Sequence, residues 1–444
     1  MPKPDQSVVK SAARTLEIFE YFDEIRRPAH IQDVALALGY PHSSTAALLR
    51  SLADLGYLEF SVDDKTFFPS IRVSLLGHWV GDEILPLRRI QQQMRDIAEQ
   101  TQMTVVLGAA SGGYCQYVRV IEGTTLRSQV NGRVWSIGTL DTPSVAELRE
   151  RALSVAGQMS GSLRVSNSVG DVGQMHRDPA NRGALFQVAS QFNLLEMVGP
   201  HVTPEDGVTR YAHDHTQGPA CAIAAGAATI YRNYFAPVDG GIGQTASRQI
   251  DCLAGIGDAL RSQGDVLWAM RNGYAMCTAD GLSTVRERLA TMGESERGQL
   301  RDQLRVGVHR DVEVTADDAG HLVTQVFCSA LPVAYSSMPP ADWEAFATLI
   351  LEGAYEATLW AAVLNAHVTG SPVVYLTRLG GGAFGNRLAW IDSAIRRAVG
   401  LTRHIALDVR LVSRGQPDDG LRTLVDEFDR DGVRLIRADR CDAK

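Results

Sequence analysis

The residues with the clearest chemical potential form a glycine-rich segment near the C-terminus, GGGAFGN at 380–386. It lies between an apolar run, VVYLTRL, and a helical pattern, AWIDSAIRRAV, which predicts a strand-to-helix turn. Such a turn exposes backbone N–H groups and directs a helix N-terminus at an anion, which suits a diphosphate. A glycine turn that only lets the helix pack on the sheet is the alternative. The predicted ligand contacts are Gly380, Gly381, Gly382, Phe384, Gly385 and Asn386.

A second polar loop, DHTQGPA at 214–220, precedes the small-residue helix pattern CAIAAGAATIY. A glycine-containing loop before a helix with an Ala/Gly face permits close approach of a ligand. Gln217 and Gly218 are therefore candidate binding residues. A tightly packed core helix with an ordinary N-cap explains the same pattern equally well.

A third group carries carboxylate and amide side chains. Asp171 follows a predicted strand and could accept a hydrogen bond from an adenine amino group or a hydroxyl, although a helix cap is the alternative. Asn193 and Glu196 are spaced to share one face of a helix or turn. We take these two as ligand-site candidates, and as the catalytic candidates if the protein is a hydrolase.

Residues 30–60 contain two short helical patterns around a Gly39-Tyr40-Pro41 break, followed by a predicted β-wing. This is the helix-turn-helix pattern, whose second helix enters the DNA major groove N-terminus first. Ser43 or Ser44 is the expected N-cap of that helix. The apolar faces are predicted at Ile31, Val34, Ala35 and Leu38, and at Ala47, Leu48, Leu52 and Leu55. The predicted DNA contacts are His42, Ser43, Ser44, Thr45, Arg50 and Lys65, the last in the wing turn.

The composition limits the class of protein. With 444 residues, 45% of them hydrophobic and 21% charged, the chain is expected to form two or three globular domains. The net charge of −8 argues against coating nucleic acid along the whole surface, so DNA contact requires a local patch. The six cysteines contain no CxxC pair and the histidines show no ligand spacing, so no metal site is predicted. There is no P-loop, GxSxG or HExxH motif.

Targeting and membrane signals are also missing from the pattern. The N-terminal residues are polar, with no apolar core of a signal peptide after them. The long apolar stretch at 346–366 contains Glu352 and Glu356, which predicts an amphipathic helix rather than a membrane span. We expect a cytoplasmic protein that has no membrane partner.

The order of the patterns predicts three regions. Residues 8–78 form a winged helix, with a first helix over 11–22 that packs through Ala12, Leu16 and Phe19. Residues 79–140 hold a linker helix over 86–102 and strands at 103–107, 114–121 and 126–130. Alternating strands and helices over 163–413 predict an α/β domain with a mixed sheet.

Residues 9–136 resemble the IclR family of bacterial transcription regulators. The carrying segments are SAARTLEIFE, HSSTAALLRSLADLGYLEF, TFFPSIRVSLLGHWV and GYCQYVRVIEGTTLRSQVNG. The resemblance implies a winged-helix homodimer or higher homo-oligomer that binds double-stranded operator DNA and responds to a small metabolite. Many members carry Arg where this chain has Ala47, and the match to the family's ligand-sensing domain stops after Ile137.

Residues 163–413 resemble a diverged macrodomain, the fold that binds ADP-ribose. GDV looks like that family's adenine-contacting GD-I motif, and SQFN looks like its asparagine-bearing segment beside the distal ribose. TQGPACA and GGGAFGN stand where its two glycine loops would be. The resemblance implies an ADP-ribose or NAD-derived ligand, with no cofactor required. Asn193 stands alone rather than in a paired motif, which weakens the case for hydrolysis.

Three functions follow from these patterns. The first is an IclR-type DNA-binding regulator whose C-terminal domain binds a nucleotide-like ligand. The second is an ADP-ribosyl hydrolase or related nucleotide-processing enzyme, with an accessory winged helix. The third is a Rossmann domain, because Gly380–Gly385 fits GxGxxG with Asp408 beyond it, but its strands would need an unusual order.

Overall fold

The computed structural model describes residues 10–25, 27–61, 64–70, 73, 93–94, 97, 105–111, 114–121, 124–128, 132–239, 241–261 and 265–430. The chain divides into two compact units, Met1–Asp96 and Ile97–Lys444.

The first unit is a three-helix winged helix. Its elements are α1 (Lys10–Ile25), α2 (Ile31–Leu38), α3 (His42–Asp54), β1 (Leu58–Ser61) and β2 (Thr66–Pro69). The two strands pair antiparallel, as the predicted wing requires. The turn between α2 and α3 depends on Gly39, which adopts the left-handed conformation (φ 65°) that glycine takes most easily.

The buried residues of this unit differ from the predicted apolar faces in two helices, α3 and α1. In α2, Val34 and Ala35 are buried as predicted. In α3, the buried residues are Thr45, Leu49 and Leu52, and the helix begins at His42 after a Pro41 N-cap. The predicted face is confirmed at Leu52, and Leu48 packs against the core, but it was wrong at Ala47, which is exposed, and at Leu55, which is 59% exposed. Ser43 and Ser44 lie inside the first turn and are not the N-cap.

In α1 the buried face is likewise rotated from the predicted one. Ile18, Tyr21 and Phe22 are buried, whereas Leu16 is 63% exposed. The predicted linker helix at 86–102 lies almost entirely outside the described residues.

The strands of the second unit are spread over most of its sequence. In chain order they are β3 (Val105–Ser111), β4 (Tyr114–Ile121), β5 (Thr125–Arg127), β6 (Val134–Ser136), β7 (Thr139–Asp141), β8 (Arg164–Val169), β9 (Leu185–Ala189), β10 (Pro237–Val238), β11 (Gly241–Ile242), β12 (Trp268–Arg271), β13 (Tyr274–Cys277), β14 (Gly307–Glu313), β15 (Leu322–Cys328), β16 (Val373–Leu376) and β17 (Asp408–Ser413).

The main sheet has seven strands in the described part of the chain, in the order β7-β14-β15-β9-β16-β17-β8. From β15 to β8 the neighbours are parallel, while β14 pairs antiparallel with both β15 and β7. The parallel strands β9 and β16 are nearly all apolar because helices cover both faces of the sheet. The sheet includes β7, which precedes the predicted α/β region at 163–413.

The helices of the second unit pack around this sheet. They are α4 (Val145–Ala156), α5 (Val172–Arg177), α6 (Gln217–Ala224), α7 (Gly226–Tyr234), α8 (Ala254–Leu260), α9 (Ala279–Thr291), α10 (Glu294–Arg301), α11 (Pro340–Thr369), α12 (Leu388–Thr402) and α13 (Asp419–Arg430).

The helix α11 is the centre of the core. By length and composition it could cross a membrane, but 83% of its most apolar window is buried inside the protein, as in a core helix. The predicted amphipathic pattern is wrong. Glu356 is only 1% exposed and forms ion pairs with Arg149 and Arg397, so a carboxylate on this helix does not mark a solvent face.

The fold class predicted from the sequence is confirmed. A helical winged-helix unit precedes an α/β unit with a mixed sheet, and alternating β and α elements from β8 onward supply the parallel strands.

Candidate functional site

A cleft lies at the carboxyl ends of the central parallel strands of the second unit. Its cavity, of about 240 Å³, is lined by residues that follow β9 and β16, by the start of α6, and by the glycine-rich loop before α12. The carboxyl ends of parallel strands are where open α/β sheets bind ligands, because the flanking loops diverge there. Both predicted glycine-containing loops meet in this one cavity.

The N-terminus of α6 is fastened to the end of β9 through Gln217. The amide oxygen of Gln217 accepts from the Ala189 backbone N–H at 2.8 Å, and its amide nitrogen donates to the Gln187 carbonyl at 2.8 Å. Gly218 permits this contact, because a Cβ there would lie 2.0 Å from the Ala189 carbonyl oxygen. Both residues line the cavity, so they build the site as well as border it.

Some residues of the glycine-rich loop line the cavity, and others hold the loop in its conformation. Gly380, Gly382 and Phe384 line the cavity. Gly385 has φ 71° and leaves no room for a Cβ beside Ala334. Asn386 is buried, and its side-chain amide donates to the Leu331 carbonyl at 2.8 Å.

Gly381 also lies outside the cavity lining, against Arg378 and Ile391. The loop leads into the 15-residue helix α12, whose first residues are not in the cavity lining, whereas the N-terminus of α6 lines the cavity through Gln217 and Gly218.

Asp171 borders a neighbouring cavity of about 210 Å³ at the ends of β8 and β17. It is the N-cap of α5, and its carboxylate accepts from the Gln174 N–H at 3.1 Å. The cap does not remove it from the cavity, which also includes His215 and Arg414. Three residues, Thr216, Gln217 and Thr377, border both cavities, so the two are adjoining parts of one cleft.

Glu196 forms a buried ion pair beside the cleft. Both oxygens of its carboxylate accept from the same nitrogen of Arg232, at 3.0 and 3.2 Å, and both side chains are 0% exposed. Burial raises the pKa of Glu196 to about 7, against the opposing effect of the Arg232 guanidinium. The guanidinium also stacks on Phe327, with 3.8 Å between its carbon and the ring centroid. The carboxylate is therefore held in the core although the residue lines the cavity.

Asn193 is not brought into the cavity lining. It is fully buried, its side-chain amide donates to Gln249 at 2.8 Å, and its side-chain oxygen accepts from the Leu195 N–H at 3.1 Å. Both halves of the amide group thus hold the loop after β9. Arg248, Gln249 and Asp251 lie between α7 and α8, outside the cavity lining. Gln249 also donates to Asn272, and Arg248 to the Ile242 carbonyl.

Several residues that line the cleft were not predicted from the sequence. Arg378 follows β16 and lines the cavity while it forms ion pairs with Asp392 and Asp418. Tyr274 and Tyr335 are far along the chain from either glycine loop, although the fold brings both rings to the cavity. Of these residues, only Arg378 could have been predicted. It is a basic residue just after an apolar strand pattern, and the ends of parallel strands meet at one edge of the sheet.

Within the described residues, no group of three or more His, Cys, Asp and Glu side chains could hold a metal ion.

The first unit presents the start of α3 as its polar face. His42, Ser43 and Arg50 are exposed and Ser44 is half-exposed. No side chain of the described residues caps this helix, so its first N–H groups remain available to a phosphate oxygen.

Two further predicted DNA contacts lie elsewhere. Thr45 is fully buried and its hydroxyl donates to the Pro41 carbonyl at 3.2 Å, so its side chain holds the turn and does not reach DNA. Lys65 is exposed in the wing turn, where it adopts a positive φ of 53°.

A family model for the IclR helix-turn-helix domain matches residues 11–61. The chain carries an IclR helix-turn-helix domain. The HTH-type transcriptional regulator XynR of Escherichia coli (strain K12) is similar to it, with 24% identity over 116 residues, 26% of this chain and 46% of that protein. The chain thus spans about half the length of this curated relative. The predicted IclR resemblance of the front end is confirmed.

Solved structures with similarity to the chain fall into two kinds. An IclR family transcriptional regulator from Brucella abortus is 22% identical, with 34% of this chain and 56% of that chain covered and a TM-score of 0.24. Poly(ADP-ribose) glycohydrolase from Deinococcus radiodurans, solved in complex with ADP-ribose, is 14% identical, with 67% and 94% covered and a TM-score of 0.35.

Proposed function

We propose that this protein is an IclR-type transcription regulator that binds operator DNA through its first unit and a nucleotide-like diphosphate, ADP-ribose or an NAD derivative, through its second. The DNA-binding part rests on the IclR domain match and on the exposed start of α3. His42, Ser43 and Ser44 are small or polar enough to approach base edges, and Arg50 and Lys65 supply positive charge for phosphates.

The ligand part is carried by one observation. The start of α6 and the glycine-rich loop before α12 line the same cavity at the carboxyl ends of β9 and β16. Helix N-termini and turn N–H groups attract anions, and two of them beside one cavity match the two phosphates of a diphosphate. The adjoining cavity at Asp171 offers a carboxylate acceptor for the amino group of a base.

The burial of Glu196 and its ion pair with Arg232 favour ligand binding over hydrolysis. A carboxyl with a pKa near 7 suits a general acid or base, and this observation keeps an ADP-ribosyl hydrolase as the second candidate. However, the Glu196 side chain is 0% exposed and is bound by Arg232, so its oxygens do not face a ligand. Asn193, the other catalytic candidate, is committed to Gln249.

The proposal includes a cytoplasmic location and a homo-oligomeric state, because operator-binding regulators act on DNA in the cytoplasm and read paired half-sites as dimers.

The ligand is tested by calorimetric titration of the full chain with ADP-ribose. We expect Gly382→Glu to abolish binding, because a Cβ at Gly382 meets no atom within 4 Å and the added carboxylate repels a diphosphate without disturbing the fold. The matched control is Gly400→Glu, which adds the same charge at an exposed position near the end of α12 and should bind normally. Equal affinity of Gly382→Glu and the wild type would refute the site.

The DNA part is tested by mobility shift of a fragment from the gene's own upstream region. We expect Ser44→Glu to abolish the shift, whereas Ser11→Glu, the same change on an exposed position of α1, should retain it. A wild-type protein without salt-sensitive DNA binding would overturn the regulator. Turnover of an ADP-ribosylated substrate that is lost in Glu196→Gln would instead support the enzyme.

A further inference from the structure

One end of the cleft is a corner of three aromatic rings. Tyr274, Tyr335 and Phe384 all line the first cavity. Their ring centroids are 5.3 Å apart for Tyr274 and Phe384, 5.4 Å for Tyr274 and Tyr335, and 5.7 Å for Tyr335 and Phe384. The last two rings meet edge to face at 77°. Such a corner offers a flat ring one face to stack on and one edge to contact.

The corner is held rigidly from behind. Tyr274 is only 2% exposed, and its hydroxyl donates to the Met197 carbonyl at 2.7 Å. The backbone of Phe384 accepts from the Ala334 N–H at 3.0 Å, which ties the glycine-rich loop to the segment that carries Tyr335. Phe384 and Tyr335 remain half-buried, so their rings are available to a ligand while their positions are fixed.

The corner and Asp171 belong to opposite parts of the cleft. Of these two cavities, the three rings line the first and not the second, Asp171 lines the second and not the first, and Gln217 borders both. A ligand that spans the cleft would therefore place one end group at Asp171 and the other among the rings. ADP-ribose has a base at one end and a bare ribose at the other, so it would leave the rings without a planar partner.

A further cavity adjoins the aromatic end of the cleft. Tyr335 lines a further cavity of about 300 Å³ on the side of Cys277, Met338 and Trp343. The Tyr335 side chain therefore borders two cavities.

We propose that the ligand is an intact dinucleotide with a planar ring on its second ribose, of the NAD type, in preference to ADP-ribose. This inference rests on the proposed diphosphate site and adds the identity of the distal group. An oxidised nicotinamide ring is both planar and cationic, so it gains stacking and cation–π attraction on Tyr335 and Phe384.

The experiment compares NAD+ with ADP-ribose by calorimetric titration of the full chain, with chromatography of the recovered ligand to check that NAD+ stays intact. We expect NAD+ to bind about tenfold more tightly, the effect of stacking one ring on an aromatic side chain. In Tyr335→Ala the ratio of the two affinities should fall to about one. Tyr335→Phe, which keeps the ring, should keep the ratio.

The outcomes separate the two proposals. ADP-ribose binding with no preference for NAD+, or a preference that survives Tyr335→Ala, would overturn the distal-ring inference and leave the diphosphate site standing. Failure of both ligands to bind would overturn both. If Tyr335→Ala does not fold, Phe384→Leu removes a ring of the same corner and should lower the same ratio.

Discussion

Gly218 is the residue whose replacement tests the construction of the cleft most directly. In Gly218→Ala the new Cβ would lie 2.0 Å from the Ala189 carbonyl oxygen, whereas ordinary contact begins at 3.4 Å. The obstacle is backbone at the end of a central strand, so no flexible side chain can move aside. The start of α6 must therefore shift away from β9 by more than 1 Å.

The energetic cost follows from the contacts that this shift breaks. Both hydrogen bonds of the Gln217 side chain, to Ala189 and Gln187, are 2.8 Å long and would be lost. At about 1 kcal/mol for each bond, and 1–3 kcal/mol for overpacking, we expect unfolding free energy to fall by about 3–5 kcal/mol. The displaced helix end also weakens ligand binding, because its N–H groups no longer adjoin the cavity.

The assay is urea unfolding followed by tryptophan fluorescence, which reports mainly the second unit because five of the six tryptophans lie in it. The matched control is Gly400→Ala, where a Cβ meets no atom within 4 Å on an exposed helix position. That change should stabilise the protein by about 0.5–1 kcal/mol through helix propensity. A Gly218→Ala protein of wild-type stability and affinity would refute the close approach of α6 to β9.

Three further predictions concern charge. Arg232→Met should lower unfolding free energy by about 3–5 kcal/mol, because Glu196 is left buried without its partner; a loss under about 1 kcal/mol in urea unfolding would contradict this. Burial lowers the pKa of His176 to about 4, so the unfolded chain binds the proton first and stability should fall as pH drops from about 6.5 to 4; His176→Gln should flatten that slope in unfolding measured across the window. Arg50→Ala should reduce the salt slope of DNA binding by about one, and an unchanged slope would exclude a phosphate contact by Arg50.

The helix-turn-helix was predictable because it is local. Its helices, its left-handed Gly39 and its wing lie within one short stretch, where hydrophobic spacing and turn residues act on near neighbours. The buried face of α3 was predicted only in part. Thr45, a polar residue, occupies the buried position under the turn, where its hydroxyl donates to the Pro41 carbonyl, and hydrophobic spacing alone does not select such a residue.

The sequence by itself also determined the two glycine-containing loops and the order of strands and helices around them, since glycine and periodicity are properties of adjacent residues. Only the tertiary structure decided which loops share a cavity and which side chains face it. Glu196 was a catalytic candidate from the sequence, but in the fold its carboxylate forms a buried ion pair with Arg232. Asn193 was a candidate ligand contact, but its side-chain amide donates to Gln249. The aromatic corner joins segments from three separate parts of the chain. Such contacts are fixed by sheet topology and packing, which no local pattern encodes.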